Sequence, residues 1–141
     1  MDSKAKSETG GIPTPLRGPM TRVILVEDDE DTGQGLQAML ELRGHTVHWV
    51  RNGRGVQRVL DSHVPVDLVL TDILMPDMDG IETIQFLRKS HPTLPLIAMT
   101  AQRNTPYLRA ALLFGARATL QKPFSGEELE AAIRMALEPL T

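Results

Sequence analysis

The 141 residues carry 15 basic and 18 acidic side chains, and the net charge of -3 does not fit the strongly basic surface of a nucleic-acid-binding domain. The absence of cysteine excludes disulfides, thiolate catalysis and cysteine zinc sites, and no apolar run is long enough to span a bilayer. We therefore expect a single cytoplasmic domain that binds neither nucleic acid nor membrane directly.

Residues 1–20 have a composition that does not support a packed core. They are rich in Gly, Pro, Ser, Thr and Lys, so the apolar surface they could bury would not offset the entropy lost on ordering. We predict a disordered tail or linker over residues 1–20 and one folded domain over residues 21–141.

Short aliphatic runs alternate with helically spaced apolar residues from residue 22 onward. We predict strands at residues 22–26, 45–50, 66–71, 94–100 and 116–121. The predicted helices are one that follows the acidic run 27–31 and ends at Gly44, and four more at 53–62, 81–89, 106–114 and 125–138, with a loop at 72–80. Gly115 would end the fourth helix, and Ser125 with Glu128 would form a capping box on the fifth. The alternation predicts an α/β fold with a doubly wound, five-stranded parallel sheet and five helices on its two faces.

Polar side chains follow the predicted strands, at the edge where sheets of this kind bind ligands. They are Glu27, Asp28, Asp72, Thr100 and Lys122. Three carboxylates brought together need a cation, and hard oxygen ligands in a small site favour Mg²⁺. A lysine charge and a threonine hydroxyl both suit phosphoryl oxygens, so the set predicts phosphoryl transfer to a carboxylate.

Each of these residues has a plainer explanation when taken alone. An acidic pair after a strand complements the dipole of the helix that follows, as Glu27 and Asp28 would here. An aspartate before a Pro/Gly loop is usually a turn former, and Lys122 before Pro123 could be a solvated loop residue. Their occurrence at successive strand ends of one sheet favours a shared site.

Four segments resemble the receiver domain of two-component response regulators. They are Glu27-Asp28 after RVILV, the run LTDILMPDMDG around Asp72, Thr100-Ala101 after LIAM, and Gln121-Lys122-Pro123-Phe124. The spacings from Asp28 to Asp72 and from Thr100 to Lys122 are also typical of that family, and the similarity extends over about residues 21–138. The resemblance implies a flavodoxin-like fold with strand order 2-1-3-4-5.

The resemblance implies a phosphoacceptor and a metal site. Asp72 would accept a phosphoryl group from the phosphohistidine of a sensor histidine kinase or a histidine phosphotransfer protein. Mg²⁺ would be bound by Asp28, Asp72 and the backbone carbonyl of Leu74, with Glu27 acting mostly through a metal-bound water.

The resemblance also implies a switch. Lys122 would pair with a phosphoryl oxygen, and its peptide bond to Pro123 would be cis. Thr100 would swing towards the phosphoryl group, into space that the small side chain of Ala101 leaves. The change would then reach the surface formed by the fourth helix, fifth strand and fifth helix, roughly residues 104–138.

Three positions depart from the common pattern or tune it. Thr119 stands where many receivers carry an aromatic residue whose rotamer reports the switch, so signalling here is expected to depend on Thr100 and the following loop. Leu74 and Gln102 lie at positions that tune phosphoryl lifetime, and neither supplies a charged side chain to orient water. We therefore expect phosphorylated Asp72 to persist for minutes or longer.

Other functions fit the sequence less well. Haloacid-dehalogenase-like phosphatases need a second aspartate two residues after the nucleophile, where Leu74 stands here, and no P-loop motif is present. The chain is therefore expected not to be an enzyme beyond catalysing its own phosphorylation and slow dephosphorylation. A receiver-like interaction module that is not phosphorylated is the remaining alternative.

The expected partners follow from the same resemblance. They are a histidine kinase or phosphotransfer protein and a downstream protein target, and a phosphorylation-dependent homodimer is left open. The sequence does not distinguish a free-standing receiver from one cut from a larger protein such as a hybrid kinase.

Overall fold

The computed structural model describes residues 21–73, 80–101 and 106–139. The predicted tail, residues 1–20, lies outside the described residues. Leu74 and Gln102 lie outside them as well, so the metal-ligand and tuning roles expected of these two residues are not addressed by the structure.

Five strands and five helices alternate within the described ranges. The strands are β1 (Arg22–Val26), β2 (Thr46–Val50), β3 (Leu68–Asp72), β4 (Leu96–Thr100) and β5 (Ala118–Gln121). The helices are α1 (Glu30–Leu42), α2 (Gly53–Asp61), α3 (Gly80–Ser90), α4 (Pro106–Leu113) and α5 (Gly126–Leu137). The strands form one parallel sheet in the order β2-β1-β3-β4-β5, which confirms the predicted fold.

The aliphatic strands are buried because both faces of the sheet are covered. Successive side chains of β1 point to opposite faces, so Val23 and Leu25 pack with α1 and α5. Ile24 and Val26 pack on the other face with α2, α3 and α4. All five residues of β3 and of β4 are buried. The two cores hold the sheet as a rigid support for the residues at its carboxyl edge.

Three predicted strands begin two residues too early, and the predicted second strand begins one residue too early. Val66, Leu94 and Ala116 are apolar because they pack against the core, but they precede the paired segments of β3, β4 and β5. Asp72 was predicted to begin a loop, and this boundary was wrong. Asp72 is the last residue of β3 and is paired in register with Met99 of β4. The ladder therefore fixes the backbone of Asp72.

The helix ends agree with the predicted signals. Gly44 and Gly115 have φ values of 93° and 118°, a left-handed conformation that favours glycine after a helix. Ser125 and Glu128 form the predicted capping box on α5. Within the described ranges, the structure contains no helix that is both long and apolar enough to cross a membrane.

Candidate functional site

The structure brings the predicted polar residues together at the carboxyl edge of the sheet. Glu27 and Asp28 follow β1, Asp72 ends β3, Thr100 ends β4, and Lys122 follows β5. Of these, Glu27, Asp72 and Thr100 are buried, and Asp28 is exposed. The site is therefore a partly buried acidic pocket with one carboxylate open to solvent.

Lys122 joins two of the carboxylates. Its ammonium group donates to Asp72 Oδ2 at 2.7 Å and also to Glu27 Oε1. The Lys122 amide donates to the Thr100 carbonyl at 2.8 Å, which ties the ends of β4 and β5 together. The lysine charge thus lies beside the Asp72 carboxylate, where it can also reach groups attached to that carboxylate.

The three carboxylates can share a cation. One ligand oxygen from each of Glu27, Asp28 and Asp72 lies within 4.8 Å of the other two. Oxygens on opposite sides of a Mg²⁺ ion are about 4.2 Å apart, since each Mg–O bond is about 2.1 Å. A span of 4.8 Å therefore fits one coordination sphere if the carboxylates move slightly towards one another. It also fits if one carboxylate acts through a bound water.

Burial and charge shift the proton affinities of the pocket. Removal from water raises the pKa of the Glu27 carboxyl, the negative charge of Asp72 adds to this, and hydrogen bonds from Lys122 and the Asp29 amide oppose it. Burial would lower the pKa of Lys122, but hydrogen bonds to Asp72 and Glu27 outweigh that effect and raise it. The proton of the Lys122–Glu27 pair therefore stays on the lysine.

The raised pKa of Glu27 predicts how metal-free stability changes with pH. When the folded pKa exceeds the unfolded one, the group contributes stability below the ordinary carboxyl range and loses it as the pH rises through the folded pKa. Urea unfolding in a chelator, compared between wild type and Glu27→Gln, should show the wild-type advantage shrinking from acidic to neutral pH. An advantage that grows with pH would contradict the assignment.

The remaining predicted residues lie on β5 or shortly after β4 and β5. Ala101 is exposed directly after Thr100, and Thr119 is half-buried on β5 opposite Ala98. The peptide bond between Lys122 and Pro123 is cis. Ala101 and the cis peptide bond therefore lie at the carboxyl edge, and Thr119 lies two residues before the end of β5.

Two residues beside the pocket were missed by the sequence analysis. The Trp49 indole N–H donates to the Glu27 carbonyl at 2.9 Å, and Arg51 Nη1 donates to the Asp28 carbonyl at 3.3 Å. Both lie at the carboxyl end of β2, the one strand end to which no polar role was given. Their positions at the carboxyl end of a parallel strand were the one signal in the sequence that could have indicated a role at this site.

Curated relatives share most of this domain. The transcriptional regulatory protein YrkP of Bacillus subtilis is 41% identical over 121 residues, which cover 85% of this chain and 51% of the relative. The transcriptional regulatory protein CpxR of Escherichia coli K12 is 36% identical over 118 residues, covering 84% of this chain and 50% of the relative. The chain thus spans about half the length of the curated relatives it matches.

Solved structures share the fold. The crystal structure of FixJ-N is 28% identical, with a TM-score of 0.77, and the match covers 86% of this chain and 96% of that one. The beryllofluoride-activated NtrC4 receiver domain dimer is 29% identical, with a TM-score of 0.75, over 84% of this chain and 97% of that one. Residues 23–134 match the response regulator receiver domain family. The chain therefore belongs to the response regulator receiver domain family.

Proposed function

We propose that this receiver domain is a phosphoacceptor switch that takes a phosphoryl group onto Asp72 in a Mg²⁺-dependent reaction. The observation that carries the proposal is the Lys122 ammonium group, which is bonded to the Asp72 carboxylate beside two further carboxylates. A cation next to an acceptor carboxylate can stabilise the phosphoryl oxygens that arrive there.

The phosphodonor is proposed to be a histidine kinase or a histidine phosphotransfer protein. The Asp72 carboxylate attacks phosphorus, an O–P bond forms, and the P–N bond to the donor histidine breaks with its electron pair left on the imidazole nitrogen. Bound Mg²⁺, held by Glu27, Asp28 and Asp72, would neutralise charge on the phosphoryl oxygens. Lys122 holds a second positive charge against the same oxygens.

The burial of the pocket supports a switch instead of a turnover enzyme. Asp72 and Glu27 are almost fully buried, and position 74 carries a leucine where phosphatases of the aspartyl-phosphate type use an acid/base aspartate. We therefore propose that the phosphoryl group persists, that hydrolysis is slow, and that the chain catalyses only its own phosphorylation and dephosphorylation.

The output surface is proposed to be the face formed by α4, β5 and α5. The charges on this face are mixed, because α4 carries Arg109, β5 carries no charged residue, and α5 carries Glu127, Glu128 and Glu130 with Arg134. Leu112 and Leu113 on α4 and Met135 on α5 are exposed apolar residues. Exposed apolar residues on such a face fit a protein target better than solvent.

A homodimer and the location of the reaction belong to the same proposal. The NtrC4 receiver, a similar structure, is described as a beryllofluoride-activated dimer. We propose that phosphorylation also favours a homodimer here, and that the reaction occurs in the cytoplasm. The relatives are named transcriptional regulatory proteins, but they are about twice as long, and we expect these 141 residues not to contact nucleic acid themselves.

Intact mass measurement tests the proposed function. Incubated with a small phosphodonor such as phosphoramidate, the protein should gain one phosphoryl group with Mg²⁺ and none in a chelator. After removal of the donor, the added mass should decay over minutes or longer. No gain under either condition would leave an interaction module that is not phosphorylated.

A further inference from the structure

We infer that Trp49 and Arg51 are positioning residues that hold the Glu27–Asp28 backbone in the conformation that binds the divalent cation. The inference rests on the proposed function, since it concerns the metal site of that reaction. Neither residue belongs to the acidic pocket itself. Both act from the carboxyl end of β2, through the main chain that carries the two carboxylates.

Trp49 ties the Glu27 peptide to β2. Its indole N–H donates to the Glu27 carbonyl at 2.9 Å, while the Glu27 amide donates to the Val50 carbonyl at 3.0 Å. Both backbone groups of Glu27 are therefore bonded to β2. A partly buried tryptophan normally finds a partner for its N–H, and here that partner is the residue at the base of the metal site.

Gly33 on α1 makes room for the indole ring. A Cβ atom at this position would lie 1.9 Å from Trp49 Cζ2 and 2.2 Å from Trp49 Cε2. A glycine inside a helix is unfavourable relative to alanine, so its presence at the buried contact is explained by the ring. The indole ring is thus packed against Gly33 in the first turns of α1, and its N–H is bonded to the segment that carries the acidic pair.

Arg51 covers the tryptophan and holds the next peptide. Its guanidinium lies 4.5 Å from the centroid of the Trp49 ring, a distance suited to a cation–π contact. Nη1 donates to the Asp28 carbonyl at 3.3 Å and Nη2 donates to Glu30 Oε1 at 2.7 Å. The carbonyls of Glu27 and Asp28, two successive residues, therefore each receive a hydrogen bond from a side chain at the carboxyl end of β2.

The Asp28 carboxylate depends on this backbone support. Asp28 is exposed, and within the described ranges no hydrogen bond to its side chain is found. Its position is set mainly by the main chain, in contrast to the buried Glu27 and Asp72 carboxylates held by Lys122. Partners that orient metal ligands commonly change metal affinity by about 10-fold to 100-fold when they are removed.

Calorimetric titration with Mg²⁺ alone tests the inference. Trp49→Phe keeps an aromatic ring but has no N–H, and Arg51→Ala removes the donor to Asp28. Each should weaken Mg²⁺ affinity by about 10-fold. The matched control is Arg54→Ala, which removes the same charge from an exposed helical position for which no ion pair is found among the described residues, and it should bind Mg²⁺ like wild type.

A double-mutant cycle with Gly33→Ala separates positioning from general destabilisation. The added Cβ would push the indole aside, so Gly33→Ala alone should weaken Mg²⁺ binding by about the same factor as Trp49→Phe. In the Trp49→Phe background the same change should have little further effect, because phenylalanine lacks the ring atoms that the Cβ meets. Thermal unfolding in a chelator should accompany each titration.

The outcomes distinguish the inference from the proposed function. Wild type that binds Mg²⁺, with Trp49→Phe and Arg51→Ala binding it equally tightly and only unfolding at lower temperature, would overturn the positioning role alone. Wild type that binds no Mg²⁺ would overturn the proposed function, and the positioning role with it. Weakened binding in both variants and unchanged binding in Arg54→Ala would support both.

Discussion

Asp72→Asn protein should gain no phosphoryl group under conditions in which wild type gains one. The amide nitrogen has no lone pair available for attack on phosphorus, and the amide oxygen is a far weaker nucleophile than a carboxylate. The substitution keeps the shape of the side chain, and its oxygen can still accept the hydrogen bond from Lys122. Removing one charge from an acidic pocket should leave the fold intact, so lost phosphorylation would report lost chemistry. Intact mass after incubation with phosphoramidate and Mg²⁺ measures the effect.

Asp31→Asn is the matched control for this experiment. Asp31 is an exposed residue in the first turn of α1, in the same acidic run as the metal ligands but on the helix instead of the sheet edge. The variant undergoes the same chemical change and should gain a phosphoryl group at the wild-type rate. A full phosphoryl gain by Asp72→Asn would place the acceptor elsewhere, and fragmentation of the product would locate it.

The fold could be predicted because local and global signals agree. Runs such as RVILV bury both faces of a strand, and helices with one apolar face must then cover both sides of the sheet. The boundaries were less predictable. Val66 and Leu94 are apolar because they pack against the core. Hydrophobicity alone does not distinguish a residue that packs against the sheet from one that is paired within it.

The polar edge of the sheet could be predicted from the order of strands and side chains. The carboxyl ends of parallel strands meet at one edge, so Glu27, Asp72 and Lys122 were expected to converge, and Lys122 contacts both carboxylates. The contribution of β2 could not be predicted in this way. Trp49 and Arg51 donate to main-chain carbonyls, which every residue has. The sequence therefore contains no complementary side chain that would indicate these contacts.

The charge balance of the pocket explains why one lysine matters so much. Glu27, Asp28 and Asp72 supply three negative charges within a few ångströms, and Lys122 supplies the one positive charge that bonds to them among the described residues. Without a metal, Lys122 compensates the two buried carboxylates at once. A bound cation would take over part of that compensation, so the lysine and the metal would be partly interchangeable for stability.

Lys122→Met should lower the unfolding free energy of the metal-free protein by about 3 kcal/mol near neutral pH, because breaking a buried ion pair leaves uncompensated charge behind. The side chains of Glu27 and Asp72 are only 1% and 10% exposed, so water can relieve little of this cost. Proton uptake can relieve it, since the pKa of the Glu27 carboxyl would rise further without the lysine that opposes the effect of burial. The loss should therefore be smaller at acidic pH. Urea unfolding in a chelator at several pH values measures it.

Mg²⁺ should restore much of the stability that Lys122→Met loses. A ligand that binds only the folded state stabilises it, and the cation would no longer compete with an ammonium group for Glu27 and Asp72. The stabilisation by Mg²⁺ should thus be larger in Lys122→Met than in wild type. Lys89→Met, which removes an exposed lysine at the end of α3, should change neither quantity. If Mg²⁺ stabilised Lys122→Met less than wild type, the lysine would be assisting the cation instead of competing with it, and the three carboxylates would not by themselves form the metal site.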